Sequence, residues 1–337
     1  MRYLILLVLP FFWGCQSDAE YQDNIPRPIQ ILFLGHDSQH HNSYQYAPIL
    51  MRKWTREGIH ITYTDNPDDL IRDDLYRYDG VILYANHDTI SPEQEKALLN
   101  YVRSGKGFIP IHCASYCFRN SEEVVAMIGG QFMRHDTGTF TAEITMTNHP
   151  VMQGLTPFST WDETYVHSKL ADDIEILMER VEGDHREPWT WVKNEGQGRV
   201  FYTAYGHDHR TWNQPGFQNL IKQGVLWAVG DRVSGLWQEF RDSLPTFVYG
   251  DTADIPNYEK RVPWPRYQEP FSPEESRKFI QVPVGFRLEL FASEPDIINP
   301  VTMAWDEKGR LWVIETVDYP NTVRHDSGAG DDRIKIC

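Results

Sequence analysis

Four short, almost wholly apolar runs set between helical patterns constrain this 337-residue chain more than any other feature in it. They read "IQILFLG", "IHITYT", "GVILYAN" and "GFIPIH". Between the first two, Tyr44 to Arg56 carries apolar residues at helical spacing. Before the last, "SPEQEKALLNYVRSGKG" shows a full set of helix signals: Ser91 as N-cap, Pro92 at the first helical position, Arg103 late, and Gly105 past the end. A strand apolar at every position, rather than at every second one, needs cover on both faces, and alternation with helices supplies it. The pattern predicts an α/β domain built on a mainly parallel sheet.

The middle of the chain is more β-like: "TFTAEITM", "DIEILMERV" and "PWTWVKNEGQGRVFYTAYGHD". A helix over Phe217 to Val229 is expected to close this domain, giving it residues 29–231. Proline and aromatic residues then accumulate ("VPWPRYQEP"), which marks 232–271 as a linker lying on a surface. From 272 to 337 short strands flank an Asp306–Gly309 turn, the grammar of a β-hairpin.

The N-terminus reads as a targeting segment. Arg2 is followed by an apolar run from Tyr3 to Trp13, shorter than the ~20 residues of a spanning helix. It ends in Gly14-Cys15 and resembles a bacterial lipobox, so residues 1–15 are expected to be a lipoprotein-type signal peptide and Cys15 the lipidated residue. Residues 16–28 would be a polar tether, and the protein an exported periplasmic or outer-membrane lipoprotein held by its acyl chains alone. Forty-eight acidic against 32 basic residues give a net charge of −16, which disfavours nucleic acid as a partner. The remaining cysteines are Cys113, Cys117 and Cys337; a Cys113–Cys117 bridge is open in an oxidising compartment, with unpaired buried thiols the simpler expectation. No CxxCH haem site occurs.

Chemistry in an open parallel sheet gathers outside the carboxyl ends of its strands. The first strand delivers His36, His40 and His41 there; the third Asn86, His87 and Asp88; "GFIPIH" delivers His112, Cys113 and Ser115; and "RVFYTAYGHDH" delivers His207, Asp208 and His209. Loops add His135, Asp162, Glu163 and Tyr165. Four strands that each end in a histidine predict a shared polar cleft. His60, His149, His167 and His185 fall outside the pattern and are expected to brace loops.

The ordered set "GFIPIHCAS", "GGQFMRHD", "NHPVMQGL", "WDETY" and "GQGRVFYTAYGHDHRTW" resembles the ThuA-like (trehalose utilisation) family over residues 29–231. The resemblance implies a flavodoxin-like, doubly wound fold related to class I glutamine amidotransferases, and a role in sugar metabolism. Those amidotransferases carry a nucleophilic cysteine in G-x-C-x-G; here His112 takes its place, with Cys113 one residue late, so glutaminase activity is not expected. The segment "FIQVPVGFRLELFASEPDIINPVTMAWDEKGRLWVIE" resembles the opening of the β-propeller of membrane-bound dehydrogenase-like proteins, which implies a downstream propeller and a cytochrome module as partners within a longer protein.

Two chemistries suit the cleft. His112 and His207 with Asp162 and Glu163 suit acid–base catalysis on a carbohydrate, including a keto-sugar. His112, His135 and His207 would also hold a divalent metal ion, assembled from distant loops because no local ligand spacing such as HExxH is present. His36, His135, Tyr165, Trp191 and Asp208 are expected to contact the sugar, Asp208 having the alternative of capping the turn that follows. Trp161, Trp189 and Trp212 lie near the same loops, where core packing competes with a role as sugar platforms. The rival reading is a non-catalytic carbohydrate-binding or structural module.

Overall fold

The computed structural model describes residues 24–337 other than 251–256, 258, 265 and 319–329. The expected signal peptide, Cys15 and most of the expected tether lie outside the described residues. Two compact units divide the chain, the first running to Ser243 with Pro283–Gly285 added and the second taking the rest.

The first unit is built on an eight-stranded sheet of mixed direction. Its strands are β1 (Ile29–Leu34), β2 (Ile59–Thr64), β3 (Gly80–Leu83), β4 (Gly107–Pro110), β6 (Glu143–Ile144), β8 (Glu175–Glu182), β9 (His185–Glu195) and β10 (Gly198–Thr203). They lie in the order β2-β1-β3-β4-β10-β9-β8-β6. The first five run parallel, and the last three join antiparallel. β3 and β4 are buried at every residue, and β1 and β10 at all but one. That is the signature of a sheet covered on both faces. The cover comes from α1 (Ser43–Trp54), α2 (Pro92–Arg103), α3 (Glu122–Ile128), α4 (His209–Trp212), α5 (Pro215–Ala228) and α6 (Asp231–Asp242). Trp54, Trp212, Phe33 and Phe108 are all sealed in the core, each contributing about 2–3 kcal/mol of burial.

Local signals set the element ends. Ser91 Oγ accepts from Gln94 N while Gln94 Oε1 accepts from Ser91 N, a capping box that starts α2 where the sequence predicts. At the amino edge of the sheet Arg27 clamps Asp79 through two bonds of 2.7 and 2.8 Å. The expected linker departs from the sequence reading at its start. Residues 231–242 are helical and pack Trp237 onto the domain, its Nε1 donating to Glu57 O at 2.8 Å. A tryptophan on the one apolar face of that segment outweighs the proline-rich composition downstream.

A second, two-stranded antiparallel ribbon is made by β5 (Gln131–Thr141) and β7 (Ser159–Ser168). β5 is largely exposed, whereas β7 is buried over Asp162–Tyr165. This ribbon supplies Glu163, the carboxylate of the site.

In the second unit, α7 (Pro273–Arg277) precedes β11 (Pro300–Trp305), β12 (Leu311–Glu315) and β13 (Arg333–Ile336), which form one antiparallel sheet. Asp306 Oδ1 accepts from Lys308 N and Arg310 N and so closes the turn between β11 and β12. Three strands fall short of one four-stranded propeller blade, so a propeller is not what the described residues form. No helix among the described residues is long and apolar enough to cross a membrane.

Candidate metal centre

Three loops at the carboxyl ends of β1, β4 and β10 deliver His41, His112 and His207 to one point, and β7 lays Glu163 across them. One ligand atom from each of the four lies within 4.8 Å of all the others. Glu163 Oε2 is 3.2 Å from His112 Nε2 and 3.7 Å from His41 Nε2, and Glu163 Oε1 is 3.2 Å from His207 Nδ1. His41 Nε2 and His207 Nδ1 face each other at 3.2 Å. Ligands about 2.0–2.2 Å from a common ion would stand at such separations.

The hydrogen count at His112 favours a cation. Its Nδ1 is 2.6 Å from the Ala204 carbonyl, which can only accept, so Nδ1 carries the hydrogen. A neutral ring then turns the lone pair of Nε2 toward Glu163 Oε2, itself an acceptor. Protonation would relieve the clash, but His112 is fully buried and burial pulls its pKa down against the Glu163 carboxylate. A divalent ion between the two resolves the conflict without a buried imidazolium, and three imidazoles with one carboxylate are a donor set that such ions take.

The charges agree. Burial would raise the Glu163 carboxyl, but its bonds with His112, His207 and His41 outweigh that and hold it well below the usual carboxylate range. Burial lowers His41 to about 4, which leaves it neutral. At His207 burial is overcome by Glu163, Asp162 and Asp208, so its pKa rises.

Asp162 does not face the centre. It is fully buried and accepts from Gly206 N at 2.9 Å, His207 N at 3.0 Å, Glu163 N at 2.9 Å and Thr211 Oγ1 at 2.8 Å. Burial pushes its carboxyl up to about 6 against those donors. Its place is to fix the turn that presents His207. At that turn Gly206 has φ 135°, and an added Cβ would stand 3.2 Å from the His112 Cβ.

Several other expectations are corrected. Trp191, expected to meet sugar, is sealed in the core, stacked on Tyr202 at 4.1 Å with Nε1 donating to Ile128 O. Trp189 and Trp212 are likewise fully buried. Tyr165 is buried behind His112, ring to ring at 4.1 Å, and backs the imidazole instead of facing a ligand. His36 is buried and holds the His41 carbonyl through Nε2 at 3.0 Å. Asp208 takes the second of its two expected places: it caps α4 and pairs with Arg210. His135 stands at the rim with its side chain 40% exposed, Nε2 being 3.5 Å from Glu163 Oε1, and lies outside the tight quartet. His41 takes the position that the sequence reading gave to His135. Of the bracing histidines, His167 bonds Glu187 and Tyr202, and His149 caps a short turn.

Cys113 is sealed, and burial holds its thiol well above the ordinary range. Cys117 is buried too, and both thiols are free. The half-buried Trp161 lies beside His207 at 6.0 Å between ring centres, with the Arg210 guanidinium carbon 3.3 Å from the centre of the Trp161 ring.

Comparison with known proteins bears on the family and the fold. The family profile described as "ThuA: Trehalose utilisation" matches residues 30–228, and one described as a domain of unknown function (DUF7133) matches 272–337. No curated protein matches. Among solved structures, a putative ThuA-like protein from Bacteroides uniformis is 18% identical, with a TM-score of 0.54 over 61% of this chain and 96% of its own. Another from Parabacteroides merdae is 19% identical, with a TM-score of 0.51 over 60% and 90%. At that identity they speak for the fold alone.

Proposed function

The chain belongs to the ThuA trehalose-utilisation family, which implies a carbohydrate-related role. From that premise we propose that it is a metal-assisted enzyme acting on a carbohydrate, a keto-sugar above all, at the His41–His112–Glu163–His207 centre. One observation carries the reading: three imidazoles and a carboxylate from distant parts of the chain converge with an acceptor turned toward an acceptor.

A divalent ion held there would supply Lewis acidity toward a sugar carbonyl or hydroxyl. The chain's own groups do the rest. Glu163 gathers the three rings, and Ala204 O fixes the tautomer of His112. His135, half-exposed and beside Glu163, is placed to pass a proton between substrate and solvent. The half-buried Trp161, 6.0 Å from His207 between ring centres, would give a sugar ring an apolar neighbour beside the centre.

Export and lipid attachment at Cys15 belong to the same proposal, on the strength of the apolar run and Gly14-Cys15. So does the start of a dehydrogenase-like propeller at residue 272. A neighbour of that kind would make or consume keto-sugars, which is the reason for preferring them as substrates.

The test is elemental analysis of the purified protein together with incubation with keto-disaccharides, with and without chelator. One equivalent of a divalent ion and chelator-sensitive turnover are expected. Absence of both would remove the enzyme reading, and sugar binding that survives loss of the histidines would install the binding-module reading in its place.

A further inference from the structure

Two of the three imidazoles sit on backbone in the left-handed region, His41 at φ 56° and His112 at φ 49°. Neither is glycine, and L-residues rest there only when their surroundings hold them. Each is gripped through its own carbonyl oxygen. His36 Nε2 holds that of His41; Ser115 Oγ at 3.0 Å and Tyr202 Oη at 3.1 Å hold that of His112.

The second grip extends inward. Tyr202 Oη lies 3.0 Å from Ser115 Oγ and 3.0 Å from His167 Nε2. His167 Nδ1 is 2.9 Å from Glu187 Oε1, which also takes the His167 backbone N–H at 2.8 Å. Ser115, Tyr202, His167 and Glu187 are all buried. A carboxylate only accepts, so His167 Nδ1 carries a hydrogen and the neutral ring offers Nε2 as an acceptor. Two hydroxyl hydrogens, on Ser115 and Tyr202, then meet two acceptors, His167 Nε2 and His112 O. Removing the Tyr202 hydroxyl orphans His167 Nε2 where water does not reach, and removing either hydroxyl strips a side-chain donor from His112 O.

We propose that Ser115 and Tyr202, oriented by His167 and Glu187, are positioning residues that lock the left-handed backbone of His112 and so aim its Nε2 into the centre. This rests on the metal reading above and adds residues that touch neither ion nor substrate. The remaining purpose of such a network, plain stability, is separated by its controls. Ser104 Oγ donates to the carbonyl three residues back, Tyr101 O, as Ser115 does, and Tyr101 Oη donates to Tyr78 O; both pairs are remote from the site.

The experiment titrates cobalt(II) into the purified full chain and reads the dissociation constant and the visible spectrum. Ser115→Ala and Tyr202→Phe are expected to weaken binding about 10-fold, the lower end for outer partners of metal ligands, and to alter the spectrum. Ser104→Ala and Tyr101→Phe are expected to match the parent. Four variants with the parent's affinity and spectrum would overturn the assignment. Should the parent take up no cobalt, the metal reading of the site fails, and the positioning role is decided by ¹⁵N-histidine NMR. The His112 Nδ1–H, bonded to Ala204 O, should then exchange faster in Ser115→Ala and Tyr202→Phe than in the controls, and equal exchange overturns the assignment. If Tyr202→Phe does not fold, Ser115→Ala, which removes a single oxygen, decides alone.

Discussion

His41 and His207, 166 residues apart in the chain, face each other nitrogen to nitrogen at 3.2 Å. Neither nitrogen has a reason to approach the other so closely unless a proton or an ion lies between them. His41→Ala, His207→Ala and Glu163→Gln are therefore each expected to weaken zinc(II) or cobalt(II) binding by more than the ~10–100-fold that outer partners command. Calorimetric titration checks this, and unchanged affinity in all three would abolish the centre.

Asp162 is expected to matter for folding and for presenting His207. Asp162→Ala orphans the N–H groups of Glu163, Gly206 and His207, while the Thr211 hydroxyl keeps Trp161 O as an acceptor. Buried orphans cost about 1–3 kcal/mol apiece, so a loss on the order of 3–5 kcal/mol is expected in chemical denaturation. A loss below about 1 kcal/mol would mean that the turn is held by something else.

Trp191 separates core from site. Trp191→Phe removes the bond to Ile128 O and part of the contact with Tyr202, at about 2 kcal/mol of stability. Metal affinity and sugar binding should stay at parental values. A selective loss of sugar binding without destabilisation would return Trp191 to the ligand surface.

The buried His60 sets an acid limit on stability. Burial lowers its pKa to about 4, and its Nε2 has no partner. The unfolded chain takes up this proton near the ordinary 6.5, so the folded state loses stability as pH falls from about 6.5 toward 4. His60→Leu should cancel about 2 kcal/mol of the loss between pH 7.5 and pH 5, measured by denaturation at both. Parallel pH dependence in parent and variant would refute the assignment.

The parts legible in the sequence are those set by local chemistry. The apolar runs announce β1 to β4, and Ser91, Pro92 and Gly105 bracket α2, because burial and capping act on neighbours in the chain. The rim histidines were legible as a group. Which of them reaches inward was not, since the left-handed backbone at His41 turns that ring in while His36 stays beneath its loop. Asp162 and Glu163 looked equivalent as a pair. On a strand, however, neighbours point to opposite faces, so only one of the two could meet the imidazoles. Trp191 was misplaced because the order of strands, which puts β9 between β8 and β10, depends on contacts far apart in the chain. The helix at 231–242 was masked by the prolines beyond it.

Glu163 comes from the ribbon, whereas its three companions come from the rim of the slab. Any ion seated among them would pull that ribbon, as one arm, more tightly onto the body of the domain. Stripping the ion should then loosen β5 and β7 in hydrogen exchange while β1, β3 and β4 stay shut, so occupancy of the centre would be felt mechanically along the whole arm.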